Sequence, residues 1–502
     1  MCVAVSDTIM RKKQAKIFFL YLAVFFVAYG GFVFQVHFSN DDYDFLFHQK
    51  EIAVTVASES YRNAMGVFYW VLDVFAINVV QNQVFFGILL IVSFAWSAAV
   101  LTMEMYRAAG QDSKIFLLGT GSLFMYLNAF ACEWMWYAGA YIQWMVAMLT
   151  ATYAAVFVAG SEKSRKKFLI GAGLLFLTAS SYQICLAHYI CIVMTLLFFR
   201  FQGKVMGRFL CMLVRAAVIC VFSIGGNMAL TKILVSADIL YPKTRLNMGG
   251  FMSVARFIIE SQKDIWLNGY GLFPDWVIPF ALVVILACTF WIMRGYGCFA
   301  YLYMLLTILM GQSLIYAACI MQGIERLPMR MLEPLFDVFS VCLFYLAFYA
   351  VYQKERMVCR LAGVSGMAFL LFHILSLQYS AADTVRTNTL DRYYILQIAD
   401  RIRTYEQEHH IEVTGVGVCY DASLEYKYGD YIKNGYYGEI LSKAFMNEWS
   451  DVSAINYYSG RSFDRTEVPQ EVKEQVRQLN WDYVNLQEQM IFRGNEVYIA
   501  VY

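Results

Sequence analysis

The chain has 502 residues, 60% hydrophobic and 15% charged, with a net charge of +1 and a mean hydropathy of +0.51. A soluble chain is roughly a quarter charged and less than half apolar, so a string of soluble domains is excluded. Six prolines and twelve scattered cysteines exclude collagen-like and disulfide-scaffold classes, and no basic face interleaved with aromatics marks nucleic acid as a partner.

In chain order, eleven apolar runs read as membrane spans: 17–37, 82–102, 115–132, 139–159, 168–181, 183–199, 209–234, 276–293, 298–321, 333–352 and 361–381. The 168–181 run is short, and 183–199 follows almost at once, as in a kinked pair. Arg11, Lys12, Lys13 and Lys16 precede the first run, which is longer than a signal-peptide core and lacks a small-residue cleavage site, so it reads as a span. With the N-terminus inside, the inner segments carry 17 Lys and Arg and the outer loops carry 8. The positive-inside rule therefore favours that direction. Eleven spans then place the C-terminus outside. Two outer loops, 38–81 and 235–275, are longer than a simple transporter needs, which points to chemistry at the membrane surface.

The charge splits near Ala382. Residues 1–382 hold 27 basic and 19 acidic side chains, and residues 383–502 hold 12 and 19. The expected architecture is a helical polytopic membrane domain, 1–382, followed by a small extracytoplasmic α/β domain, 383–502. In the tail, Leu390–His410 has helical spacing and Ile411–Cys419 alternates like a strand. Tyr431–Trp449 reads as a helix, Asp451–Tyr458 as a strand and Pro469–Leu479 as a helix. Tyr483–Ile491 and Glu496–Tyr502 form a hairpin across Arg493-Gly494-Asn495. Cys419 is the single cysteine of the tail, so no disulfide can form within it.

Charge is scarce in the membrane part, so its positions are informative. Asp41, Asp42 and Asp44 follow the first span. They fit either a capped helix start or a general base at the membrane surface, with Asp41 and Asp42 raising each other's pKa. Lys243, Arg245, Arg326 and Arg330 lie on the same side. Guanidinium forks suit phosphate oxygens; the other reading is loop positioning, for example Arg326 with Glu325 or Glu333. Ser180-Ser181-Tyr182-Gln183 either caps helix ends or faces a site. Glu133 is an acid beside an apolar run, and Trp134 and Trp136 read as interface belt residues or a sugar platform. His188 and His373 read as hydrogen-bonded packing residues, and Asp337 with Arg215 as an intramembrane pair or part of a lipid path.

The order of one span, an outer loop opening on Asp-Asp, an amphipathic stretch, many short spans and an exterior α/β tail resembles the GT-C superfamily of membrane glycosyltransferases. More narrowly it is similar to the GtrII-like glucosyltransferase family. The resemblance is carried by Asn40-Asp41-Asp42, Tyr182-Gln183, Arg330 and the helix Asp391-Arg392…Ala399-Asp400-Arg401-Ile402. The family's Gly-Arg pair after the amphipathic stretch is absent; Tyr61-Arg62-Asn63-Ala64-Met65-Gly66 keeps only the Arg. The resemblance implies transfer of glucose or another hexose from a polyprenyl-phosphate donor to a cell-surface glycan, at the outer face of a bacterial cytoplasmic membrane. It implies Asp41 or Asp42 as the base, with inversion, and Arg326, Arg330, Lys243 or Arg245 on the donor phosphate. Asp44, Glu133, Tyr182, Gln183 and Arg62 would face the acceptor or the sugar. No cofactor is required; a divalent ion, Mg or Mn, is compatible with the acid cluster. The alternatives are a lipid-linked glycan flippase or transporter and a polysaccharide polymerase or ligase.

Overall fold

The apolar runs fold as helices, the 115–132 run broken over 125–130, in the computed structural model, which describes residues 2–110, 114–201, 206–242, 250–323, 327–352, 355–420, 440–444, 447–478 and 485–501. The first half comprises α1 (Cys2–Val33), α2 (Asn40–Ser60), α3 (Asn63–Val74), α4 (Gln83–Ala109), α5 (Ile115–Phe124), α6 (Ala131–Trp136), α7 (Tyr141–Ala159), α8 (Arg165–Ser181), α9 (Leu186–Phe201) and α10 (Met206–Ser236). The remainder of the bundle is α11 (Phe251–Asn268), α12 (Val277–Met293), α13 (Cys298–Gln322), α14 (Met329–Leu332), α15 (Asp337–Tyr349) and α16 (Arg356–His409).

Eight helical stretches among the described residues are long and apolar enough to cross a membrane. Three of the eleven expected spans fall short of that standard. Helix α5 has ten residues, about 15 Å at the helical rise. Helices α8 and α12 have seventeen each, and α8 opens on Arg165, Lys166 and Lys167, which shortens its apolar part. The break between the 168–181 and 183–199 runs is real: Tyr182 is extended, and a short 3-10 turn, Gln183–Cys185, starts the next helix.

Helix α15 forms the centre, with every residue buried, and α5, α12, α13 and α9 pack around it. Helices α10 and α13 lie at the rim, where Val221, Phe222, Leu302 and Leu309 stay exposed; in a membrane-embedded bundle these face lipid. The stretch 38–81 is the ordered hairpin α2–α3. Helix α3 leaves Val67, Trp70, Val71 and Val74 exposed on one side, the pattern of a helix lying in the interface.

Irregular backbone at membrane depth must be satisfied internally. The α5–α6 break obeys this: Tyr29 donates to the Tyr126 carbonyl at 2.6 Å, and the Ala129 amide donates to His373 Nδ1 at 2.8 Å. Beside it, His188 Nε2 lies 2.6 Å from Glu333 Oε2 and Nδ1 lies 2.8 Å from Asp337 Oδ2, all three side chains being about 1% exposed. Asn128 Nδ2 donates to Glu333 Oε1 at 2.9 Å. Asp337 is therefore engaged by His188 and not by Arg215, which is exposed with its guanidinium near the Met212 sulfur. Glu333 is buried, its carboxylate engaged by His188 and Asn128.

Helix α16 runs 54 residues, about 80 Å, straight through Ala382, so the compositional boundary falls inside one helix. Beyond it lie β1 (Gly415–Cys419), α17 (Asp451–Ser459), β2 (Asp464–Arg465), α18 (Gln470–Val476), α19 (Leu486–Gln489), β3 (Met490–Arg493) and β4 (Glu496–Ala500). The strand order is β2-β1-β4-β3, with β1 parallel to both neighbours and β3–β4 antiparallel. The hairpin turns at Gly494, whose φ is 64°. The expected strand over 451–458 is helix α17. Its β-branched and aromatic content misleads, because Val452 and Ile455 recur at helical spacing and are buried while Tyr457 and Tyr458 meet α2. Leu486–Gln489 is a helical turn, not strand; 431–439 lie outside the described residues, and 447–449 form a turn.

Candidate functional site

Ser39 caps α2, accepting from the Asp42 amide at 3.3 Å, while Asp42 Oδ2 accepts from the Ser39 amide at 2.8 Å. This capping box buries Asp42 completely. Its carboxylate also accepts from the Ala138 amide at 3.1 Å and the Gly139 amide at 2.7 Å, fastening α2 to the turn before α7. Burial pushes Asp42 up to about 7, although these amides pull the other way. The three neighbouring acids thus divide. Asp44 meets His48 Nδ1 at 2.7 Å. Asp41 is exposed, and its Oδ1 accepts from the Trp449 indole at 3.1 Å. Asp42 is the buried latch, which leaves Asp41 as the solvent-facing carboxylate of the pair.

Arg330 is held by α6. Its backbone amide donates to Glu133 Oε2 at 2.9 Å, its guanidinium donates to Glu133 Oε1 and to the Tyr137 hydroxyl, and Trp134 donates to its carbonyl at 3.1 Å. Glu133 is fully buried, so it orients Arg330 and does not face a solvent-borne sugar. Trp134 and Trp136 are buried too. Trp134 stacks on Trp144 at 5.4 Å, so the pair forms neither a belt nor a platform.

Arg62 lies 4.3 Å over the Tyr182 ring and donates to Gln143 Oε1 at 2.9 Å. Gln143 in turn donates to Tyr69, and Tyr69 donates to the Gly139 carbonyl. A hydrogen-bonded chain therefore links Arg62 to the turn that grips Asp42. Gln183 Nε2 donates to the Ser60 and Tyr61 carbonyls, closing the C-terminus of α2. Asn227 donates to the Tyr61 carbonyl and accepts from Ser180 and Asn63, tying α10 to α8 and to the hairpin.

Arg62, Tyr182, Gln183, Asn227 and Arg330 line one cavity of about 280 Å³. Its polar wall holds Glu59, Arg62, Tyr182, Gln183, Asn227 and Arg330. Its apolar wall comes from Ile224 and Met228 of α10 and Leu314, Ala317, Ala318 and Met321 of α13. Asp41 lies beyond this lining but acts electrostatically on Arg330. Two guanidiniums facing a polar head, with an apolar wall built by two rim helices, can take an anionic group attached to a hydrocarbon chain.

The structure brings together Arg62, Tyr182, Gln183 and Arg330 of the expected residues, with Glu133 directly behind. Lys243, Arg245 and Arg326 lie outside the described residues. Gln143, Tyr69, Asn227 and Trp449 were not anticipated. Gln143 and Asn227 carry a signal in hindsight, since each is an amide inside an apolar run; Trp449 carries none. Among the described residues no group of three or more His, Cys, Asp or Glu is arranged to hold a metal ion. Both oxygens of Asp42 are taken by amides, so Asp41 and Asp42 do not converge on one point. No family model matches the chain, and no curated protein matches it in sequence.

Proposed function

We propose that this protein is a GT-C-type membrane glycosyltransferase. It moves a hexose from a polyprenyl-phosphate donor to a glycan acceptor at the outer face of a bacterial cytoplasmic membrane, its N-terminus inside and its C-terminal domain outside. One observation supports this above all: Arg62 and Arg330 converge on a single cavity whose far wall is apolar and built from rim helices. The hydrocarbon chain would lie against α10 and α13, and the phosphate would meet the guanidiniums.

In this reading Asp41 takes the proton from an acceptor hydroxyl, and that oxygen attacks the anomeric carbon from the face opposite the phosphate. The bond between the anomeric carbon and the phosphate oxygen breaks. Polyprenyl phosphate leaves with its new negative charge stabilised by Arg330 and Arg62, and one displacement inverts the anomeric centre. Tyr182 stacks under Arg62, and Glu133 fixes Arg330, so both cations are positioned before the donor arrives. The chemistry requires no redox or nucleotide cofactor, and a divalent ion would add to the phosphate charge balance.

The test is transfer from radiolabelled polyprenyl-phosphate glucose by protein in nanodiscs, with Arg62→Ala, Arg330→Ala and Asp41→Asn as variants. Loss of transfer in all three supports the assignment; full transfer in the Arg variants would overturn the donor site. A second reading is favoured by the His188–Glu333–Asp337 cluster, since ionisable groups deep in spans are typical of translocation paths. In that reading the cavity would bind a lipid-linked glycan for passage across the bilayer, and vesicle flipping without sugar transfer would select it.

A further inference from the structure

Trp449 presents a large aromatic face to solvent from a turn that is firmly anchored. The indole is 55% exposed. Its turn is tied at both ends: the Ser450 amide donates to the Asn447 carbonyl at 3.0 Å, and the Ala444 amide donates to the buried Asp391 carboxylate of α16 at 3.1 Å. The helix that follows docks on α2 through Tyr458, which accepts from Tyr43 at 3.1 Å, and through Tyr457 against Phe38. Asn388 of α16 grips both backbone groups of Phe38, at 2.7 and 2.8 Å. Helix α16 thus fixes the start of α2 and the tail segment against each other, and the place where they meet is Asp41 with Trp449.

We infer that Trp449 is the acceptor-binding platform, on which a pyranose ring of the glycan stacks with its hydroxyls toward Asp41. This inference rests on the proposed transferase function and adds where the acceptor lies and what the C-terminal domain contributes. The chemistry fits a carbohydrate. A pyranose offers a face of C–H groups that an indole covers, and rim hydroxyls that a carboxylate accepts from; an exposed Trp with its N–H already committed to that carboxylate can offer only its ring. Asp41 also acts electrostatically on Arg330, so the carboxylate beside the platform is within reach of the charge at the donor cavity. Trp134 and Trp136, the tryptophans nearer the cavity, are buried and cannot serve.

The test uses the full chain in nanodiscs, with glucose hexamers of α-1,6 and β-1,4 linkage and a rhamnose tetramer as soluble probes, each titrated singly. Undecaprenyl phosphate is titrated in parallel. Variants are Trp449→Ala, Trp449→Phe and, as a control on an exposed indole elsewhere, Trp276→Ala. Wild-type protein is expected to bind at least one oligosaccharide, and Trp449→Ala should weaken it by about ten-fold, the loss typical of a truncated aromatic anchor. Trp449→Phe should lose less, Trp276→Ala nothing, and undecaprenyl phosphate binding should stay the same in all three. Unchanged oligosaccharide binding by Trp449→Ala would overturn the platform, as would failure of all probes to bind a protein that still takes undecaprenyl phosphate. Absence of undecaprenyl phosphate binding in wild type, with oligosaccharide binding still dependent on Trp449, would instead reject the donor reading and keep the platform.

Discussion

Glu133 receives two hydrogen bonds from one residue, Arg330, through its backbone amide and its guanidinium. The carboxylate is fully buried, and the Arg330 side chain is about a quarter exposed, on the cavity side. Removing the acid alone leaves a largely buried cation without its main counter-charge. Glu133→Ala is therefore expected to cost about 3 kcal/mol, as for a broken buried pair, read as a lower unfolding temperature in nanodiscs. Glu133→Ala/Arg330→Met should cost less than the sum of the single changes, because the second substitution removes the stranded charge. Additive losses would show that the pair does not interact in the membrane.

Arg62 and Arg330 differ in how they are held, so conservative substitution should separate them. Arg330 is bonded to Glu133 and Tyr137, whereas Arg62 rests on the Tyr182 ring and donates to Gln143. Lysine keeps the charge but loses the planar fork. Arg330→Lys is expected to lower transfer by about 100-fold, as for loss of a preorganised donor at the developing charge, with little change in donor affinity. Arg62→Lys should act mainly on donor KM, since stacking on Tyr182 is what it forfeits. Equal effects on both parameters in both variants would refute the division.

Much of this site was legible because charge is rare in the membrane part. Arg62, Arg330, Tyr182, Gln183 and Glu133 each stand out beside an apolar run, and the structure gathers all five. Their partners were not legible. Glu133 reads as a surface acid until α14 is seen folded back on α6, and Asp337 reads as a partner for Arg215 until His188 is found between two carboxylates. Pairing of this kind depends on which helix faces are neighbours, and apolar runs that are hydrophobic all round carry no facing information. One element of the tail departs from expectation for a different reason. Residues 451–458 have strand-like composition, but packing against α2 and α16 selects a helix, the usual way tertiary context overrides propensity.

Asp42 gives a pH-dependent prediction. An unfolded aspartate titrates near about 3.9, and burial raises the folded value to about 7. The folded state therefore binds the proton more tightly than the unfolded chain. The stability this group contributes is full below pH about 4 and is lost as pH rises through about 7. Asp42→Asn cannot ionise, so the wild-type-minus-variant difference in unfolding temperature should fall between about pH 4 and pH 7. The variant should also be less stable throughout, because its amide nitrogen faces the amide donors of Ala138 or Gly139. A difference that is flat across this range would show that Asp42 stays ionised in the fold.

Gly139 tests the same latch from the other side. A methyl group there would come within 3.0 Å of the Phe45 ring and 3.1 Å of Asp42 Oδ1, and its amide is the shorter of the two bonds from this turn to that oxygen pair. Gly139→Ala should cost about 1–3 kcal/mol through overpacking. It should also loosen α2 enough to lower transfer, since Asp41 is the residue that precedes the latch. Restored transfer in Gly139→Ala/Phe45→Leu, where the ring is gone, is the expected rescue; a Gly139→Ala protein with wild-type stability would remove the latch from the account.

His188 separates a structural role from a translocation role. The imidazole lies within 2.6 and 2.8 Å of two buried carboxylates. His188→Ala leaves Glu333 and Asp337 facing each other without a cation, at a cost of about 3–5 kcal/mol. The triple change His188→Leu/Glu333→Gln/Asp337→Asn removes every ionisable group. The Asn128 amide, which donates to Glu333 in the native protein, would still find a carbonyl oxygen on the new side chain. If the cluster only joins α9 to α15, the triple variant should regain most of the lost unfolding temperature and keep wild-type sugar transfer. A triple variant that is stably folded but inactive would place the cluster in the function itself. Loss of glycan movement across vesicle membranes, with no transfer in the wild type, would then replace the transferase assignment with the translocation reading.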